Sequence, residues 1–141
     1  MASTNVDLVR SILVPWERGD YSSAAWAHYA IEFVIVGGPT PGSWTGLAGM
    51  AEGYSAFLEV WDDVRTKADE YRELDAERVL VLVHTSGRGK TSGVELGQMW
   101  TKSAVLFHIR GGAVTRLVVY WDRERAFGGL AGAPEAGSTR P

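Results

Sequence analysis

Residues Arg78 to Trp121 read RVLVLVHTSGRGKTSGVELGQMWTKSAVLFHIRGGAVTRLVVYW, and this stretch decides the fold. Three runs rich in β-branched, aliphatic and aromatic side chains, Arg78 to Thr85, Val94 to Ile109 and Ala113 to Trp121, are divided by Ser86 to Gly93 and by Gly111-Gly112. Such runs broken by turn residues predict an antiparallel meander. Just upstream, Val64, Thr66 and Ala68 alternate with Arg65, Lys67 and Asp69, the period of a strand with one wet face.

Before residue 62 the period changes. Leu47, Met50, Ala51, Tyr54, Phe57, Leu58 and Trp61 recur at helical spacing, with Thr45 placed to cap the helix. Ile31 to Val36 is a strand closed by Gly37-Gly38-Pro39, and the following loop extends to Thr45. Asp20 or Ser22 is placed to cap a short second helix carrying Ala25, Trp26 and Tyr29 and ending near Ala30. A first helix starts at Thr4 and carries Val6, Val9, Ile12, Leu13 and Trp16, with Gly19 as its C-terminal cap. Pro15 should kink its last turn or end it early, because proline lacks the amide donor and crowds the preceding turn. Helices first and a long meander last predict an α+β domain, with three N-terminal helices covering a curved antiparallel sheet. The domain is expected over residues 1–130 and a disordered tail over 131–141, where small, polar, Gly and Pro residues dominate.

The chain of 141 residues is the size of one domain with a real core. Its 14 Lys and Arg against 17 Asp and Glu leave a net charge of −3, which offers no basic field for nucleic acid or anionic lipid. There is no cysteine, so disulfides, thiolate nucleophiles and cysteine-ligated metals are excluded. Met1 to Asn5 lacks a basic stretch before an apolar one, and the run Val79 to Val83 is too short to span a bilayer, so the expected location is cytoplasmic, with no membrane partner.

Several segments together resemble a known family: Trp16-Glu17-Arg18-Gly19-Asp20, Trp44-Thr45-Gly46, Val79 to Gly93, and VYWDRERAFGGL from Val119 to Leu130. Their order and spacing resemble the SnoaL-like branch of the nuclear transport factor 2-like superfamily, whose relatives include polyketide cyclases, ketosteroid isomerases and limonene-epoxide hydrolases. The resemblance implies a cone-shaped fold, a homodimer packed through the outer face of the sheet, and a pocket between helices and sheet. The residues it places in that pocket are Trp26, Tyr29, Phe33, Ile35, Gly37, Met50, Tyr54, Phe57, Val83, Thr85, Ser103, Val119 and Trp121. It implies a small apolar molecule as partner and no cofactor.

Carried over position by position, the relatives' chemistry largely fails. The isomerases' oxyanion-donating tyrosine falls on Ile12, their general base on Gly37, and their second donor on Ser103 or Ala104. The epoxide hydrolases' polar triad falls near Val83, Thr85 and Val119. A site without base or oxyanion donors lacks effects worth orders of magnitude in rate, so the first reading is a binding protein. A shift of one residue would exchange faces and bring in His84 and Tyr120. The alternative is therefore an isomerase, cyclase, dehydratase or hydrolase acting on a polyketide-like or steroid-like substrate, using His28, His84, Ser103 or Tyr120. A purely structural dimer module is the third reading.

Other motifs have ordinary explanations. Gly87-Arg88-Gly89-Lys90-Thr91 ends like a phosphate-binding loop, but His84 stands where the first glycine belongs and a strand follows, which predicts an exposed hairpin. Arg18-Gly19-Asp20 reads as helix capping. His28, His84 and His108 lack metal-ligand spacing, so no metal is expected. Asp122, Arg123, Glu124 and Arg125 read as a structural ion-pair cluster. Trp100 shares its outward parity with Gln98 and Lys102, where a tryptophan suits a subunit contact.

Overall fold

The computed structural model describes residues 4–38, 40–89, 98–132, 135–136 and 138–139, with backbone alone at 60, 62, 89, 98–100 and beyond 128. Helix α1, Thr4–Glu17, buries Val9, Ile12, Leu13 and Trp16. Pro15 lies within it and does not stop it early. The end is set by two bonds, Gly19 N to the Trp16 carbonyl at 3.0 Å and Asp20 N to the Pro15 carbonyl at 2.9 Å. They form a Schellman motif that needs the left-handed φ of +84° at Gly19.

The second helix does not form. Asp20 Oδ1 accepts from Ser22 N at 3.0 Å and from Ser22 Oγ at 2.6 Å, which is the local bond of a cap, but a turn and then a strand follow. Strand β1 occupies Ala27–Val36, beginning inside the expected helix. Its pairing with a strand far along the chain overrides the local helical spacing. The expected loop also contains a short strand, β2, Gly42–Thr45, antiparallel to β1. Thr45 is extended at the start of α2, Gly46–Val60, yet its side chain makes no capping bond.

The meander follows as β3 (Trp61–Glu73), β4 (Arg78–Gly89), β5 (Gln98–Arg110) and β6 (Ala113–Tyr120). Residues 90–97, which hold half of the expected Ser86 to Gly93 turn, lie outside the described residues; Ser86 to Arg88 already pair with β5. The sheet is curved and has the order β2-β1-β6-β5-β4-β3, with β1 parallel to β6. It is therefore mixed rather than antiparallel throughout. No hairpin joins β1 to β6, so a long connection sets their relative direction. Helix α3, Arg123–Gly132, follows β6, so two helices precede the meander and one closes it, in place of three in front. Residues 133–134, 137 and 140–141 of the expected tail lie outside the described residues; Glu135–Ala136 (β7) and Ser138–Thr139 (β8) form a small antiparallel pair.

The two faces of the sheet carry separate clusters. Val79, Val81, Val83, Val105 and Phe107 point to the concave side and pack with α1 and Met50 of α2. Leu80, Leu82, Ala104, Leu106 and Val118 point to the convex side with Ala126 of α3. This alternation follows from the two-residue period of the strands.

Candidate functional site: an aromatic cavity

A cavity lies between the concave face and the helices, and every meander strand contributes to it. Phe33 and Ile35 come from β1, Thr66 from β3, Val83 and Thr85 from β4, Ser103 and Val105 from β5, and Val119 from β6, with Trp121 just after it. Trp16 ends α1, Tyr21 follows it, and Tyr54, Phe57 and Leu58 come from α2. The space between atoms is about 610 Å³ including open solvent, of which about 50 Å³ admits the centre of a water-sized sphere. At ~10–15 Å³ per water on that measure, the interior as it stands has room for a few waters and is smaller than the ~150 Å³ of a cavity that takes benzene, so even a single ring needs the wall to give. Larger bodies require side chains such as Phe57 or Trp121 to move.

The rings are locked edge to face and face to face. Phe33 stacks on Tyr54 at 4.7 Å, Trp16 lies 6.2 Å from Tyr54, and Trp121 stands 6.3 Å from Phe57 and 6.4 Å from Trp61. The hydroxyls of Ser103, Tyr21 and Thr66 in the wall are already engaged. Ser103 Oγ donates to the Trp121 carbonyl at 2.8 Å, and Thr101 Oγ1 donates to the same oxygen at 3.3 Å. Tyr21 Oη pairs with Thr66 Oγ1 at 2.9 Å and donates to the Val64 carbonyl at 3.3 Å. Burial pushes the Tyr21 phenol up to about 12 despite the opposing Thr66 bond and Arg65 charge. Burial, with Tyr21 nearby, also pushes Tyr54 well above the ordinary range. Both phenols remain protonated donors at neutral pH.

Nine of the thirteen residues expected in the pocket line this cavity: Phe33, Ile35, Tyr54, Phe57, Val83, Thr85, Ser103, Val119 and Trp121. Four do not. Tyr29 is 77% exposed, because a register shift between Ala27 and Glu32 breaks the alternation that would have turned it inward. Trp26 packs edge-on against Trp16 at 6.2 Å in the core. Met50 is core and borders a shallow hollow beside residues 19–24. Gly37, with φ of +83°, turns the chain at the end of β1, and the Arg125 side chain occupies the space a Cβ would need. Trp16, Tyr21, Leu58, Thr66 and Val105 line the cavity without having been expected there. For Thr66 and Val105 the signal was strand parity, shared with Val64 and Ser103; Tyr21 carried no such signal.

The alternative catalytic candidates are scattered. Ile12 is in the α1 core. His28 Nδ1 accepts from Ala30 N at 3.0 Å, its ring lies 4.3 Å from Tyr29, and it is not in the cavity wall. His84 sits between two inward residues and so faces the convex side, its Nδ1 2.9 Å from Asp69 Oδ1. Arg123 Nη2 donates to Asp69 Oδ2 at 2.6 Å and to the Val83 carbonyl at 3.0 Å, joining α3 to the same cluster. Asp122 accepts from Arg125 N at 2.9 Å and pairs with its side chain at 2.8 Å, capping α3. Tyr120 packs against the convex cluster. Burial and then the Arg116 and Arg78 charges hold His108 below the ordinary histidine value. Among the described residues no group of three or more His, Cys, Asp or Glu could hold a metal, and no helix is long and apolar enough to cross a membrane. The side chain of Trp100 lies outside the described residues.

No family model and no curated protein matches the sequence. Solved structures do match. An NTF2-like protein of unknown function from Burkholderia pseudomallei K96243 aligns with a TM-score of 0.72 at 16% identity, covering 89% of this chain and 96% of that one. TerC, co-crystallised with polyporic acid, aligns with a TM-score of 0.70 at 20% identity over 88% and 95%. A protein of Jannaschia sp. CCS1 named as a SnoaL-like polyketide cyclase aligns with a TM-score of 0.69 at 12% identity over 93% and 94%. The mixed six-stranded sheet, the helices α1 and α2 on its concave side and these alignments agree, and the chain has the fold shared by these NTF2-like and SnoaL-like proteins.

Proposed function

We propose that the protein binds a small hydrophobic molecule, cyclic or aromatic, in the cavity beneath α1 and α2. The observation that carries this reading is the wall itself: six aromatic rings and seven aliphatic or hydroxyl-bearing strand residues face inward, and no charged side chain is among them in the described residues. Ligand pockets are commonly of this kind, largely apolar with a few fixed polar groups. Affinity should rise by ~0.8 kcal/mol for each methylene buried. Similarity to TerC, crystallised with an organic acid, supports a pocket of this type in this fold. Native mass spectrometry of the purified protein tests the reading: a retained small molecule, lost in Trp121→Ala, is expected. A protein that carries nothing and takes up no single-ring aromatic would overturn it.

An enzyme of isomerase, cyclase, dehydratase or hydrolase type is the second reading, favoured by likeness to proteins named as polyketide cyclases. It is tested by turnover of polyketide-like and steroid-like compounds; activity lost in His28→Ala or His84→Ala would establish it. The binding reading includes a homodimer packed through the convex face. Sedimentation at micromolar concentration checks this, and a monomer there would remove it.

A further inference from the structure

Three buried side-chain polar atoms have no hydrogen-bond partner among the described residues: Thr40 Oγ1, Tyr54 Oη and Trp61 Nε1. Only Tyr54 belongs to the cavity wall. Its ring is held by Phe33 at 4.7 Å, Tyr21 at 5.8 Å and Trp16 at 6.2 Å, but none of these contacts satisfies the hydroxyl. The neighbouring phenol of Tyr21 is committed to Thr66 and Val64. A buried donor left unmade is costly, and one beside an apolar cavity is satisfied by whatever enters it.

We propose that Tyr54 Oη is the recognition group of the pocket, and that the ligand carries one neutral oxygen acceptor, of carbonyl or ether type, on an otherwise apolar ring. This inference rests on the binding reading above and gives the ligand its polar handle. The acceptor is neutral because among the described residues the wall offers no Lys, Arg or His to a carboxylate, which would lose its hydration without compensation. The phenol donates because burial keeps it protonated. A cation drawn to the aromatic rings is the competing chemistry.

Acetophenone and ethylbenzene have nearly the same shape and differ by one carbonyl oxygen, so their titration into wild-type, Tyr54→Phe and Tyr29→Phe protein separates the possibilities. Tyr54→Phe should weaken acetophenone by about tenfold, the worth of one net hydrogen bond, and leave ethylbenzene within about twofold. Tyr29→Phe, at an exposed tyrosine outside the wall, should keep the preference of the wild type. The carbonyl stretch of bound acetophenone should move to lower frequency in the wild type and return in Tyr54→Phe. If ethylbenzene binds and acetophenone shows no dependence on Tyr54, the pocket stands and this inference falls. Tighter binding of tetramethylammonium than of acetophenone, unaffected by Tyr54→Phe, also overturns it. If neither aromatic probe binds, the binding reading fails and takes this one with it. Should Tyr54→Phe not fold, an unshifted carbonyl stretch in the wild-type complex is enough to refute the proposal.

Discussion

Ser103 Oγ donates to the Trp121 carbonyl at 2.8 Å, so this hydroxyl is used to fix the backbone beside the cavity. Ser103→Ala should therefore act on stability rather than on ligand choice. One net hydrogen bond lost predicts about 1 kcal/mol, toward the lower end because Thr101 still donates to the same oxygen at 3.3 Å. Urea unfolding measures the loss, and an unchanged ligand preference in the variant completes the expectation.

The two inner phenols make the fold sensitive to base. Tyr21 is raised from 10.0 to about 12, so its contribution is fully present below pH 10 and is lost as pH climbs through about 12. Urea midpoints taken from pH 8 upward should fall beyond pH 10, with a shallower fall in Tyr21→Phe. Equal slopes in the two proteins would mean the phenol is not buried as described.

At the other end of the scale, Asp69 ties α3 to the convex face. Burial pushes its carboxyl up, but hydrogen bonds and charges from Arg123 and His84 outweigh burial and hold it below the ordinary 3.8. A depressed carboxylate stabilises the fold above its unfolded value, so this contribution is lost as pH falls below about 3.8 and through the folded value. Asp69→Asn should flatten that part of an acid-denaturation curve, modestly, because the pair is partly open to water. An identical curve would assign acid sensitivity to other carboxylates.

Gly38 has φ of +76°, and a Cβ there would come within 2.6 Å of the Trp121 ring. Gly38→Ala should cost roughly 1–2 kcal/mol from the left-handed backbone alone and should also displace the indole from the cavity wall. A shifted tryptophan emission together with weaker binding of apolar ligands is the expected signature. Lost stability with unchanged emission would place the strain elsewhere.

What could be read in advance follows the range of the forces involved. Val83, Thr85, Ser103 and Val119, placed in the pocket by the family resemblance with the strand parity left open, line the cavity, and the two-residue period then turns His84 and Tyr120 to the other face. Residues 20–30 misled for the opposite reason. Ala25, Trp26 and Tyr29 have helical spacing, but Trp26 accepts from Val114 N at 2.9 Å and β1 runs alongside β6, a partner nearly ninety positions away that no local pattern reveals. The same long-range pairing makes the sheet mixed and introduces the register shift that turns Tyr29 to solvent. Tyr21 meets Thr66 across 45 positions of sequence, so their bond and the isolated Tyr54 hydroxyl became legible only in three dimensions.

The central claim is that the concave cavity is a binding site rather than a packing defect, and calorimetric titration of ethylbenzene into wild-type and Val119→Phe protein tests it most directly. Val119 lines the cavity, and a phenyl ring there fills space a ligand would use, at an overpacking cost of ~1–3 kcal/mol that the fold should survive. The account expects saturable binding to the wild type and none to the variant, whose circular dichroism should remain that of a folded protein. Absence of binding to the wild type, or equal binding to a folded Val119→Phe protein, would contradict it.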